Sequence, residues 1–120
     1  MDKYKLTEKE YEFASIVWEN EPLSSGELVK LCGEKLGWKK STTYTVLKKM
    51  CEQGILKNEA SLVGSVVGQD EVQKYESRQF IDKTFEGSVP KFITAFFSDK
   101  KLTETEAAEL KELIDRYVED

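Results

Sequence analysis

At Gly54 the residue pattern of this chain changes from helical to extended, and what lies on either side leaves few folds open. Upstream, apolar residues recur at helical spacing in three separate stretches. Leu6-Thr7-Glu8-Lys9-Glu10 reads as a helix start, with Thr7 as cap and Glu10 as its capping-box partner. Tyr11, Ala14, Ser15, Val17 and Trp18 then follow on a helix over about 8–20. Glu21-Pro22-Leu23 breaks it. Ser24 or Ser25 caps a second helix, in which Leu28, Leu31 and Cys32 share a face and which ends near Gly33 or soon after. Beyond Gly37-Trp38-Lys39-Lys40, Ser41 is expected to cap a third helix over about 41–53. Its inward groups are Tyr44, Leu47 and Cys51, with Val46 and Met50 offset from them. Gly54 closes this helix, because glycine takes the left-handed cap conformation without a Cβ penalty.

Downstream, Ile55-Leu56-Lys57-Asn58 and Leu62 to Val67 read as two short strands around an Asn58-Glu59-Ala60-Ser61 turn. Asp70 is expected to cap a fourth helix of about 16 residues, on which Val72, Tyr75, Gln79, Phe80 and Lys83 form no single stripe. A fifth begins at Ser88 with Pro90 in its first turn and carries Phe92, Ile93, Phe96 and Phe97. Thr103 and Glu106 repeat the capping box before a last amphipathic helix over about 104–118, bearing Ala107, Leu110, Leu113, Ile114 and Tyr117. The fold class expected is mainly α. Residues 1–69 form a winged helix-turn-helix domain, three helices plus a short β-hairpin, and residues 70–120 form a helical dimerisation domain.

Composition narrows the chemistry. Among 120 residues there is no histidine, which removes the usual general base at neutral pH and the commonest transition-metal ligand. Cys32 and Cys51 are too far apart for a CxxC motif and have apolar helical neighbours, so they read as packing thiols. The carboxylate pairs Asp70/Glu71 and Glu104/Glu106 sit at helix starts, where capping explains them, and Gly64, Gly68 and Gly87 make no phosphate-binding loop. No enzymatic activity, cofactor or metal is expected. Apolar runs fall far short of the ~20 residues that span a bilayer, and the first six residues lack the apolar stretch of a secretory signal. The expectation is a cytoplasmic protein, away from membranes, with reduced thiols.

The net charge of −5 is unevenly spread. Residues 1–60 carry ten lysines and ten carboxylates, whereas residues 61–120 carry eight basic and thirteen acidic groups. Within the neutral half, the stretch from Lys35 to Cys51 holds Lys35, Lys39, Lys40, Lys48 and Lys49 and no acid at all. Lys39, Lys40, Ser41, Thr42, Thr43 and Thr45 crowd the start of the third helix with donors for phosphate oxygens and base edges, where the helix dipole also favours an anion. Lys48 and Lys49 extend the positive strip by a turn. In a winged helix-turn-helix domain that helix enters the DNA major groove, so double-stranded DNA is the expected partner. The hairpin is a poor wing. Lys57 is its one basic residue, and Ser61 and Val63 stand where aromatic groups are common.

Apolar groups in the last 50 residues exceed what two or three isolated helices can bury: Phe80, Phe85, Phe92, Ile93, Phe96, Phe97, Leu110, Leu113 and Ile114. A second copy of the chain would cover them, and two-fold symmetry would then make the DNA site a palindrome.

Three segments resemble the penicillinase repressor family of bacterial regulators. They are Leu6 to Glu12 with Val17-Trp18, Gly37 to Leu56, and Phe80 to Phe92; the middle one is the most specific. The resemblance implies a transcriptional repressor whose amino-terminal winged helix binds a palindromic operator and whose carboxyl-terminal helices form the homodimer. It places Lys40, Ser41, Thr42, Thr43, Tyr44 and Thr45 at the start of the recognition helix, Tyr44 either contacting the groove or packing. It places Lys48 and Lys49 at phosphate-contacting positions, and Trp18 and Trp38 at bracing aromatics. Some family members are cleaved by a regulatory protease between an asparagine and a phenylalanine. Here Ala95 and Phe96 align with that bond, so the phenylalanine is present and the asparagine is not. The cysteine cluster of copper-responsive members has no counterpart in Ile114 to Asp120. The alternative reading is a winged-helix interaction module with weak or no DNA binding, using Phe92, Phe96 and Phe97 to hold another protein. The acidic balance and the poor wing motivate it.

Overall fold

Thr7 and Ser24 each close a capping box in the computed structural model, which describes residues 4–119. Thr7 Oγ1 accepts from the Glu10 amide at 3.1 Å while the Thr7 amide donates to Glu10 Oε1 at 2.9 Å, and helix α1 runs from there over Glu8–Asn20. Its buried face is Phe13, Ala14, Ile16 and Val17, with Glu10 beside them. Ser24, not Ser25, caps α2 (Ser25–Leu36), reciprocated by Glu27. This helix passes Gly33 and stops at Gly37, whose φ of 70° is the left-handed conformation of a helix terminator.

Helix α3 (Lys40–Glu52) starts one residue earlier than its hydroxyls suggest. Lys39 occupies the cap position with no side-chain cap, and Ser41 lies inside the first turn. The cause is Trp38. Its ring stacks on Phe13 with centroids 5.6 Å apart, and its amide donates to the Cys32 carbonyl at 3.2 Å, so the chain must turn there and the helix follows at once. The inward set also differs from expectation. Thr43, Leu47 and Met50 are buried, Val46 and Cys51 are half-buried, and Tyr44 is on the rim at 37% exposure.

Strands β2 (Leu56–Glu59) and β3 (Leu62–Ser65) form the wing, with Asn58 opposite Val63 and Glu59 opposite Leu62. The turn is tighter than Asn58–Ser61. Ala60 and Ser61 alone connect the strands, with φ of 52° and 65°. Positive φ at both central positions matches the right-handed twist of a hairpin, although neither residue is the glycine or asparagine that signals it. A further strand, β1 (Leu23–Ser24), has no counterpart among the sequence expectations. It pairs with β3, Leu23 opposite Val63, to give the order β1-β3-β2. At two residues it is too short to leave a period in the sequence.

Helix α4 (Gln69–Phe85) begins from Gly68, whose carbonyl accepts the Val72 amide. Asp70 therefore lies in the first turn, where its charge suits the helix dipole, and is not the cap. Helix α5 (Val89–Phe96) is capped by Ser88 as expected. Helix α6 (Glu104–Asp115) has the Thr103–Glu106 capping box and ends three residues short of 118. No helix among the described residues is long and apolar enough to cross a membrane. The architecture is thus mainly helical, a winged helix-turn-helix followed by further helices.

The chain divides into two compact units, Met1–Phe80 and Ile81–Asp120. The core belongs to the first: α1 packs on α2 and on the sheet, α3 on α2, and Val72 of α4 is fully buried with them. Trp18 ties in the segment after the wing, its indole N–H donating to the Val67 carbonyl at 3.0 Å. In the second unit Phe85 meets Phe92, Phe92 meets Phe96, and Phe96 meets Phe97, at 5.0–5.9 Å between centroids.

Candidate nucleic-acid interface

A turn of α3 every 3.6 residues sorts its polar residues onto different faces. Ser41, Thr45 and Lys48 share the outward ridge, with Thr42 on one flank and Tyr44 on the other, and Lys39 and Lys40 stand exposed at the amino-terminal end. Among the described residues no carboxylate lies within ion-pair distance of Lys39, Lys40 or Lys48. Thr45 Oγ1 donates to the Ser41 carbonyl at 2.9 Å, which fixes its rotamer and leaves its oxygen lone pairs facing outward. Tyr44 is both exposed and anchored. Its hydroxyl is 3.3 Å from Ser25 Oγ at the start of α2.

Two residues expected on this face, Thr43 and Lys49, are positioned otherwise, and Lys57 keeps its expected place on the wing but beside a carboxylate. Thr43 is 0% exposed, its hydroxyl donating to the Lys39 carbonyl at 3.1 Å, and it cannot touch a ligand outside the protein. It falls on the same stripe as Leu47 and Met50, four and seven residues on, and the threonine-rich composition of the segment disguises this. Lys49 is held by Glu10, Nζ to Oε2 at 2.6 Å. Lys57, on the wing, has Glu59 at 4.0 Å on the same strand.

The support beneath α3 is largely invisible in the sequence. Glu10 is legible as a cap partner, but its second role follows only from where it stands, one step before Phe13, Ala14 and Val17 on the apolar stripe of α1. A carboxylate in such a stripe is the signal. Burial raises the carboxyl pKa, but the hydrogen bonds and charge of Lys49 and the Thr7 amide outweigh it, and the net shift is downward. Glu21 braces the wing, its Oε1 accepting from the Ser65 amide at 2.8 Å and from Ser65 Oγ at 2.9 Å. Burial pushes the thiols of Cys32 and Cys51 up, only partly offset at Cys32 by Thr43. Both are packing groups.

Thr43 yields a direct prediction. Thr43→Ala removes a satisfied buried hydroxyl and a methyl group, so it should lower unfolding free energy by about 1–2 kcal/mol in urea titrations while leaving the ranking among DNA sequences unchanged. A relaxed ranking at unchanged stability would return Thr43 to the surface.

A sequence profile described as penicillinase repressor matches residues 6–116. Among curated proteins, the chain is 20% identical over 117 residues to the methicillin resistance regulatory protein MecI of Staphylococcus aureus, the alignment covering 94% of this chain and 95% of the relative. MecI proteins of Mammaliicoccus sciuri and Staphylococcus epidermidis align with the same identity and coverage.

Proposed function

The chain belongs to the penicillinase repressor family of winged-helix transcriptional regulators, and on that premise we propose that it is a sequence-specific repressor acting as a homodimer on a palindromic operator. The family is one of repressors and not of enzymes. Residues 1–69 serve as the DNA-binding domain and 70–120 as the dimerisation domain. The observation that carries the reading is the outward face of α3, where Ser41, Thr42, Tyr44 and Thr45 offer donors and acceptors to base edges while Lys39, Lys40 and Lys48 flank them for phosphates. Lys57 adds little, because Glu59 shares its strand.

Dimerisation is supported by the helices past the wing. Val72 is the buried residue of α4, and among the described residues α5 and α6 contain none. Phe80, Val89, Phe96, Leu113 and Ile114 are all about half exposed. Pairing through Phe80, Phe85, Phe92, Ile93, Phe96, Phe97, Leu110, Leu113 and Ile114 would bury this surface, and its two-fold symmetry would match a palindrome whose half-sites lie about one DNA turn apart, ~34–36 Å. A regulatory protease acting at Ala95–Phe96 would have to open the last turn of α5, in which that bond lies.

The test is fluorescence anisotropy on the DNA upstream of its own gene, with light scattering of the free protein. Saturation at two chains per site, over a dimer in solution, is the expected result. Binding by single chains, or no preference over random duplex, would overturn it; in the latter case a protein partner becomes the reading to pursue.

A further inference from the structure

Lys49 differs from the other lysines of α3 in having a carboxylate partner, and that partner is the one buried charged group among the described residues. Glu10 is 8% exposed, and its two oxygens are used separately: Oε1 accepts from the Thr7 amide at 2.9 Å and Oε2 from Lys49 Nζ at 2.6 Å. A carboxylate largely out of water is weakly screened by salt, so it keeps its cation where a surface carboxylate would exchange it. The Lys49 side chain is nevertheless 60% exposed, on the flank of the DNA-facing helix. A phosphate drawn to Lys49 would meet the Glu10 charge beside it, and the pair presents no net charge to attract it.

We propose that Glu10 silences Lys49, withholding one cation from the reading face and thereby setting how strongly this protein grips any DNA. The inference rests on the DNA-binding reading above. It assigns Glu10 a role beyond capping: the native phosphate contacts come from Lys39, Lys40 and Lys48, and Lys49 is held in reserve.

The test compares native protein with Glu10→Gln, Lys49→Gln and the double variant on one duplex, by anisotropy between 50 and 200 mM KCl. Glutamine at position 10 can still accept from Thr7, so the cap survives. Each phosphate engaged contributes about 0.9 to the slope of log affinity against log salt. Glu10→Gln frees Lys49 in both chains of the dimer, so it should steepen the slope by about 1.8, losing about 12-fold more affinity than native across that fourfold salt range. Lys49→Gln should leave the native slope unchanged, and the double variant should return to it. The proposal is overturned if Lys49→Gln alone makes the slope shallower by about 1.8, since Lys49 would then already bind phosphate in each chain. It is overturned equally if Glu10→Gln matches native, or if its gain persists in the double variant. Should Glu10→Gln unfold, the slope of Lys49→Gln, altered at an exposed side chain, decides by itself. Absence of salt-dependent binding by native protein would instead bring down the DNA-binding reading and this inference with it.

Discussion

Replacing Lys39, Lys40 and Lys48 together by alanine lowers affinity for operator and random duplex alike by about four orders of magnitude at moderate salt, since the homodimer loses the triplet from both chains and each phosphate left without its lysine costs roughly 1 kcal/mol. The three side chains are exposed and have no carboxylate partner among the described residues, so their removal breaks no internal ion pair. The fold should hold, with unchanged helical circular dichroism. The slope of log affinity against log salt should become shallower by about 5.4, at about 0.9 per phosphate for both chains of the dimer. Phosphates carry no sequence information, so the ratio of operator to random affinity should survive the change. Salt-resolved anisotropy on both duplexes checks each part. Retained affinity would mean that α3 does not face the backbone, and a collapsed ratio with retained slope would mean that these lysines read bases.

Why some of this is legible in the sequence and some is not can be argued from single residues. Helix starts are readable where a hydroxyl and a carboxylate sit three apart, as at Thr7–Glu10 and Thr103–Glu106, because the bonds that close a capping box are local. At α3 the same reasoning puts the cap on Ser41, and a non-local contact overrules it: Trp38, held by Phe13 on another helix, fixes where the chain turns. Strand β1 fails to register for a related reason. Its two residues pair with Leu62 and Val63 some forty positions downstream, and nothing in Leu23-Ser24 announces that partner.

The interface shows the same division. A run of lysines and hydroxyls without acids identifies the element, because charge and hydrogen-bonding capacity are properties of composition. Which of those groups reach outward is a property of phase. Lys49 and Thr43 lie in the same run as Lys48 and Thr42, yet rotation by one residue, about 100° on a helix, carries one onto Glu10 and the other into the core. The apolar stripe through Leu47 and Met50 already contains that phase, and a strict count back by four from Leu47 reaches Thr43.

The same non-local contact makes Phe13 the most sensitive position in the reading head. Phe13 is fully buried, is the largest such side chain among the described residues, and stacks on Trp38 at an interplanar angle of 18°. Phe13→Ala should cost about 3–5 kcal/mol, combining the forfeited apolar transfer with the cavity left behind. A unit of this size has total stability of about 4–12 kcal/mol, so the variant sits near its unfolding threshold. With a urea dependence of about 1 kcal/mol per molar, the midpoint should fall by about 3 M or more. Trp18 and Trp38 both lie in the first unit and report its unfolding by fluorescence. A midpoint shift below about 1 M would mean that neighbouring groups close over the gap, and that the ring is less confined than its burial indicates. The functional consequence follows from the same stacking. Trp38 is what turns the chain into α3, so a partly unfolded or displaced Trp38 removes the fixed starting point of the helix that carries Lys39 to Thr45. DNA affinity should therefore fall in Phe13→Ala even below its midpoint, although no atom of Phe13 reaches the surface.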